Sequence, residues 1–225
     1  MTTYIKTLCA DGRSPHQSHP WPLPTQLPDG TWEPGAWVTS RHIARRKTPL
    51  TPSQVDVCSP AVYACRPDQL PRWIDARAWY VELDGPVEGQ DKVGARAGRL
   101  LRPVEGWTDD ALRRFAFECA DRAVRVHAVA ALRSAGLTTE ADRLAALPPI
   151  TDEKAAAAAY TASYAAADAA YAAAYAAVRA AASTAASTAA HAAATYATLA
   201  ADAAYAAERE WQARRLAELV GLEEA

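Results

Sequence analysis

The stretch AVYACRPDQLPRWIDARAWYVELDGP, residues 61–86, carries the signals that decide the fold. AVYAC is a short apolar run of strand-forming residues, and the PDQLP that follows offers one helical turn with Asp68 near its start. AWYVELDG then alternates in character and ends at a Gly-Pro turn, and a further strand signal, GRLLRPV, follows at 98–104. Together these elements predict an α+β fold with a small, mainly antiparallel sheet.

Composition divides the chain after this first part. All fifteen prolines and six of the seven tryptophans precede residue 150, whereas residues 155–207 contain 33 alanines in 53 positions. Alanine favours helix, and proline interrupts it. We therefore predict an α+β head at 1–107, linking helices at 108–150, and an Ala/Tyr-rich helical packing region at 151–225.

Charge and cysteine usage limit the classes of function. The net charge is −2 and neither half is strongly basic, so nucleic acid is not an expected partner. Asp168, Arg179 and Asp202 interrupt the alanine tract, which argues against a membrane span. The four cysteines form no CxxC pair and the N-terminus shows no secretory leader pattern, so we predict a cytoplasmic protein with reduced thiols.

Two histidines in the proline-rich N-terminal segment form an HxxH pair. His16 and His19 have a spacing that can chelate a metal, but no third ligand stands at a recognisable distance and HExxH is absent. We therefore predict no metal site and favour a pair of turn histidines. Common hydrolase and nucleotide-fold signatures, GxSxG, the P-loop and GxGxxG, are also absent from the sequence.

Other polar candidates in the head each have a structural interpretation beside the functional one. Tyr63 lies on an apolar strand, where core packing is its simplest role. Asp84 precedes a glycine, as tight turns require. The basic run RHIARRK, residues 41–47, either grips phosphate or lies solvated on the surface, and the solvated loop is the favoured reading.

The order of short motifs in this chain resembles a known family. DGRSPH, WPLP, VYACRPDQL, WYVELDG, DKV, RLLRPVEGW and FAFECADRA are followed by an alanine-rich tail. This order is similar to that of a family of actinobacterial and phage proteins, and the similarity extends over nearly the whole chain. The resemblance implies a compact N-terminal domain followed by alanine repeats, and it implies no particular reaction.

The head also has a weaker resemblance to small ADP-ribosyltransferases of the rifamycin-inactivating type. VYAC and YVELDGPVE occupy places comparable to two strands of those enzymes, which hold NAD in a cleft. The resemblance implies that Tyr63 takes the tyrosine place, that His16 or His19 takes the histidine place, and that Asp84 is the nearest acid. The histidines stand in a proline-rich loop, whereas the family carries its histidine on a strand, and fold alone does not carry function.

The helical half begins with clear boundary signals. Thr108 precedes two aspartates and should cap a helix that ends at Gly136, with Phe115, Val126 and Val129 on its apolar side. A second helix, TTEADRLAAL, ends at Pro148, and Thr151 is expected to cap the alanine tract.

Tyrosines recur along the alanine tract at helical spacing. At about 100° per residue, one narrow stripe collects five of them: Tyr160, Tyr164, Tyr171, Tyr175 and Tyr196. Methyl side chains allow helices to approach closely, and tyrosines can lie across a neighbouring helix. We expect these tyrosines at a helix–helix interface, with the tract folded into a hairpin near ASTAASTAA in preference to one straight rod.

These observations lead to two functional hypotheses. The leading one is a non-catalytic assembly and binding protein that forms a homo-oligomer through the 151–225 helices. The alternative is a head that binds a small nucleotide such as NAD, as an ADP-ribosyltransferase-like enzyme or as a nucleotide-signal sensor. In that case Arg13 or the basic run with Arg45 and Arg46 would hold phosphate. The sequence leaves open whether the protein is an enzyme.

Overall fold

A computed structural model describes residues 2–15, 19–39, 50–56, 61–159, 161–163, 165 and 206–222. The chain forms two compact units, one made of Met1–Ala111 with Arg209–Ala225 and the other of Leu112–Glu208. The first unit, called the head unit below, contains antiparallel sheets, and the second, the helical unit, contains helices. The α+β class predicted from the sequence is confirmed. The predicted hairpin near ASTAASTAA lies outside the described residues.

The head unit contains nine short strands, all paired antiparallel, within the described residues. They are β1 (Tyr4–Leu8), β2 (Thr25–Gln26), β3 (Trp32–Glu33), β4 (Val38–Thr39), β5 (Val62–Ala64), β6 (Arg77–Asp84), β7 (Val87–Glu88), β8 (Val93–Ala95) and β9 (Ala97–Pro103). One sheet has the order β1-β6-β9-β4, a second has the order β5-β8-β7, and β2 pairs with β3. A backbone bridge between Ile5 and Cys65 joins β1 to the end of β5, so that β1 has partners on both sides.

The core of the head forms on one face of the large sheet because side chains alternate along each strand. Leu8 on β1, Val81 on β6 and Leu100 on β9 are buried in one apolar cluster with Trp21 and Trp79. The predicted strands at AVYAC, AWYVELDG and GRLLRPV are confirmed as β5, β6 and β9. β1 was not predicted.

Two short helices complete this part of the head, α1 (Pro52–Asp56) and a 3-10 helix at Pro67–Arg72. The 3-10 helix is the helical turn predicted at PDQLP. Its Gln69 is buried and accepts a hydrogen bond from the Arg66 amide at 3.0 Å, which closes the first turn.

Residues 206–220 form a helix, and the part of it from 209 onward belongs to the head unit. Leu216 and Val220 on this helix are buried. A Cβ atom at Gly106 would come within 2.3 Å of the Val220 carbonyl oxygen, so only glycine allows this approach.

One continuous helix runs from 109 to 134 in three parts: α2 (Asp109–Arg122), a π-helical segment (Ala123–Ala128) and α3 (Val129–Ser134). The predicted cap is confirmed, since the Ala111 amide donates to Thr108 Oγ1 at 3.2 Å. The helix ends at Gly136, whose φ of 77° reverses the chain. The predicted second helix is α4 (Thr138–Ala145).

Two details of the helical prediction were wrong. Val126 was expected on the apolar side, but 45% of its surface is exposed because the π-helical segment shifts the phase of the residues that follow. Thr151 was expected to cap the alanine tract. The cap is Asp152, whose Oδ1 accepts the Ala155 amide at 2.7 Å.

Candidate functional site

Tyr63, the central residue of the predicted head site, is half-buried and packed. It pairs with Gly94 across β5 and β8, and a Cβ at Gly94 would lie 3.5 Å from the Tyr63 ring, so the ring covers the glycine. The ammonium of Lys92 stands 5.4 Å from the centroid of the same ring. Tyr63 therefore has a packing role in this structure, and its catalytic role stays a prediction.

Lys92 packs against the Tyr63 ring and connects several segments of the head. Only 4% of its surface is exposed, and its ammonium also lies 5.8 Å from the Trp73 ring. Its Nζ donates to the Asp56 carbonyl oxygen at 3.4 Å, while Trp73 Nε1 donates to the Asp91 carbonyl at 2.6 Å. Burying a lysine is costly unless such partners compensate. These contacts tie the turn before β8 to α1 and to the end of the 3-10 helix.

Asp84 lies at the exposed end of β6. Its carboxylate forms an ion pair with Arg96 at 3.2 Å, and Gly85 follows it with a φ of 62°. This is the tight turn that the Asp-Gly sequence predicts. The structure places Tyr63 in the three-stranded sheet and Asp84 in the four-stranded one.

Arg13 and His19 lie close together in the loop after β1. Arg13 forms a backbone bridge with Pro20, and the Ser14 amide donates to the His19 carbonyl at 2.9 Å. The Arg13 side chain forms an ion pair with Asp11 at 3.5 Å. His16, Arg45 and Arg46 lie outside the described residues.

The beginning of the alanine tract shows how its methyl groups are arranged. Residues 153–159 are helical, and Ala159 is only 3% exposed. Ala162 packs against a cluster built from α3 and α4. The opposite side of the helix is exposed; we call it the methyl face, and it consists of Ala157, Ala158, Thr161 and Ala165.

The methyl face offers no free polar side chain to water. The hydroxyl of its one polar residue, Thr161, donates to the Ala157 carbonyl at 3.0 Å, within the same helix. The predicted interface tyrosines, Tyr160, Tyr164, Tyr171, Tyr175 and Tyr196, all lie outside the described residues.

A polar network centred on Asp121 fixes the segment that precedes the alanine tract. Asp121 Oδ1 accepts Arg125 Nε at 2.7 Å and the Ile150 amide at 2.9 Å. Arg125 donates in addition to the Leu147 carbonyl at 2.5 Å. The segment that leads into the tract is therefore hydrogen-bonded directly to the long helix.

A second polar network is centred on Glu208. Glu208 is largely buried, with 13% of its side chain exposed, and its Oε2 accepts both Arg122 Nε at 2.5 Å and His127 Nε2 at 2.7 Å. Burial, together with the Glu208 charge, raises the pKa of the nearby Cys119 thiol to about 11. This network anchors residue 208 to α2 and to the π-helical segment.

Sequence reasoning missed Lys6, Lys92, Asp121 and Glu208. The alternation of YIKTL places Lys6 in one row with Tyr4 and Leu8, and this period of two was the signal that could have found it. Asp121 carried a local signal in its i,i+4 spacing to Arg125. Lys92 and Glu208 acquire their roles mainly from partners far away in the sequence, and no comparable local signal marks them.

Comparison with known proteins identifies no relative: no family model, curated protein or solved structure matches this chain. Both resemblances given above therefore stay predictions. In the part of the chain that the structure describes, no helix has the length and apolar character needed to cross a membrane. Within the same residues, no group of three or more His, Cys, Asp or Glu side chains could hold a metal ion.

Proposed function

We propose that this chain is an assembly and binding protein that self-associates through its Ala/Tyr-rich helices. The observation that carries the proposal is the methyl face. One side of the helix is packed on α3 and α4, and the other side exposes alanines and a threonine whose hydroxyl is already bonded. The charged side chains next to this face, Glu153 and Lys154, lie one turn before it, and none of its four residues is charged, so covering those four residues has little desolvation cost.

Small side chains set the geometry of this association. Alanine contributes little buried area per residue, so one short contact would be weak. It lets helix axes approach to about 8 Å, and the predicted tyrosine stripe would add large, amphipathic contact area. A long run of such positions gives a cumulative interface.

The two described ends of the tract support a reversal of chain direction. Ala162 packs against a cluster of side chains from α3 and α4, and Glu208 contacts His127 in the π-helical segment, so both ends of the tract pack on the same helical unit. A straight helix joining residues 162 and 208 would separate them by about 69 Å. We therefore keep the hairpin as part of the proposal.

The experiment is a measurement of mass in solution on the full chain, by multi-angle light scattering and native mass spectrometry over a range of concentrations. We expect an oligomer that Ala158→Glu weakens at least tenfold, because the variant buries a charge in the proposed interface. Ala131→Glu is the matched control: it is an equally exposed helical alanine outside the tract. A folded full-length chain that is monomeric at every concentration would refute the proposal.

The nucleotide-binding alternative has one observation in its favour: backbone contacts in the loop after β1 bring residue 13 close to residues 19 and 20. A phosphate bound by Arg13 would replace its ion pair with Asp11. Calorimetry with NAD and with free nucleotides tests it, using Arg13→Gln to remove the cation. Tyr63→Phe is the conservative companion because it keeps the ring above Lys92. Absence of heat from a folded sample would eliminate the alternative.

A further inference from the structure

Lys6 stands in a row of side chains that otherwise belongs to the hydrophobic core. Tyr4, Lys6 and Leu8 occupy alternate positions on β1, and Tyr4 and Leu8 both pack in the apolar cluster of the head. In the β1–β6 register Lys6 lies directly opposite Trp79. Residues paired in this way project from the same face of an antiparallel sheet. The sheet therefore directs the lysine toward the indole-lined side.

The Lys6 amine has an aromatic neighbour, and the described part of the chain gives it no hydrogen-bond or ion-pair partner. Its Nζ stands 5.5 Å from the centroid of the Trp21 ring. Across the described residues, no hydrogen bond or ion pair involves this nitrogen. The one fully buried side-chain nitrogen or oxygen without a hydrogen bond there is Nε1 of Trp79, the residue opposite Lys6. Lys6 as a whole residue is half-buried, so part of its side chain remains in contact with solvent.

The charged and titratable groups that face Lys6 come from three elements. They are Cys9 after β1, Asp75 before β6 and Cys65 after β5. Burial of the amine outweighs their influence and lowers the pKa of Lys6 to about 8. Burial also raises the pKa of Cys65 to about 12, so that this thiol stays neutral.

The remaining thiol is also a poor nucleophile. Cys9 Sγ lies 3.6 Å from Asp75 Oδ2, to which it donates, and loss of water from its surroundings together with the Asp75 charge raises the pKa of Cys9. Thiols react as thiolates. Among these side chains the Lys6 amine is consequently the group that can act as a nucleophile near neutral pH.

We propose that Lys6 is a covalent binding site for small aldehydes, which its amine captures as an imine. The Nζ lone pair forms a bond to the carbonyl carbon, and one amine proton moves to the carbonyl oxygen to give a carbinolamine. Loss of that hydroxyl with the second amine proton, as water, leaves the C=N bond. The reaction is reversible and needs no oxidant or reductant.

The surroundings favour a small, uncharged carbonyl compound over an anion. The amine lies beside the Trp21 ring, and among the described residues no second cation or amide donor of the kind that holds a phosphate or carboxylate contacts it. An apolar environment favours the neutral form of a lysine amine, and this neutral form condenses with carbonyl compounds. At pH 7.5 about a quarter of such amines are neutral, against about one in a thousand for an ordinary exposed lysine.

The experiment uses the full-length chain with limiting acetaldehyde and cyanoborohydride at pH 7.5, followed by peptide mass mapping. The reductant serves only to trap the imine. Lys154 is exposed and provides the comparison inside the same molecule. We expect ethylation of Lys6 to be at least tenfold faster than that of Lys154 in the native protein. In urea the two rates should become equal, because the surroundings of Lys6 are lost.

Two results would overturn the proposal: equal rates in the native chain, or modification of Lys154 with Lys6 untouched. Lys6→Arg keeps a cation but cannot form an imine, so it should abolish the adduct at position 6 and leave Lys154 labelling unchanged. Fragment-ion localisation separates position 6 from the α-amine on the same peptide, which also reacts with aldehydes. If that variant fails to fold, the comparison within the wild-type molecule decides the matter alone.

Discussion

Replacing Lys6 by methionine should stabilise the head unit at neutral pH. Methionine has a similar length and adds no charge to the indole-lined face of the sheet. The gap between the ordinary lysine pKa of 10.5 and the value of about 8 in the fold corresponds to roughly 3 kcal/mol. This is the free energy by which the folded protein disfavours the charged lysine. Lys6→Met removes that cost, so we expect a gain of about 2–3 kcal/mol at pH 7.

The gain should depend on pH in a defined direction. Between pH 8 and 10.5 the unfolded chain binds more protons at Lys6 than the folded chain does, so the stability of the wild type rises with pH across this window. The charge-related advantage of Lys6→Met should accordingly be complete below pH 8 and disappear by about pH 10.5.

Urea unfolding followed by tryptophan fluorescence measures this effect, because all seven tryptophans belong to the head unit. The control is Arg77→Met, which removes an exposed cation from the neighbouring strand and should change the free energy of unfolding by no more than about 0.5 kcal/mol. A Lys6→Met protein no more stable than wild type at pH 7 would refute the reasoning. So would a stability difference that stays constant from pH 7 to 10.5.

Two further substitutions test the packing of each unit. Asp121→Ala should destabilise the helical unit by about 3 kcal/mol, because the half-buried Arg125 guanidinium loses its carboxylate. Circular dichroism at 222 nm during urea unfolding measures the change. The control, Asp142→Ala, removes one partner of an exposed ion pair and should cost less than about 1 kcal/mol. Gly94→Ala should destabilise the head by about 1–3 kcal/mol, because the added Cβ would lie 2.8 Å from Val55 Cγ2. The double variant with Val55→Ala should recover part of this loss in the fluorescence assay. No recovery would contradict the close contact between residues 94 and 55.

Local signals in the sequence predicted much of the fold. The 3-10 turn at PDQLP, the alternating strand AWYVELDG and the helix capped by Thr108 each follow from neighbouring residues, and each is present. β1 was missed because its five residues gain their stability from β6 and from Cys65, more than 55 positions away in the sequence. The π-helical segment has no sequence signal of its own, and it moved Val126 to the surface.

The candidate sites were less predictable than the fold. The sequence singled out Tyr63 and Asp84, but their surroundings depend on Lys92 and Arg96, which lie immediately before and after β8. For Lys6, the alternation of YIKTL indicates a row shared with Tyr4 and Leu8, but only the tertiary fold brings Trp21 and Trp79 to that row. A lysine acquires an unusual pKa only through what the tertiary fold removes from around it.

The head unit is assembled from the beginning and the end of the chain, and this affects the order in which a ribosome can complete it. Its first 111 residues emerge roughly 5–20 s before the last helix, at the usual rate of about 5–20 residues per second. During that interval the apolar surface that Leu216 and Val220 later cover is open to water and to other nascent chains. Chaperone binding should therefore concentrate in this interval of translation and end when the final helix docks.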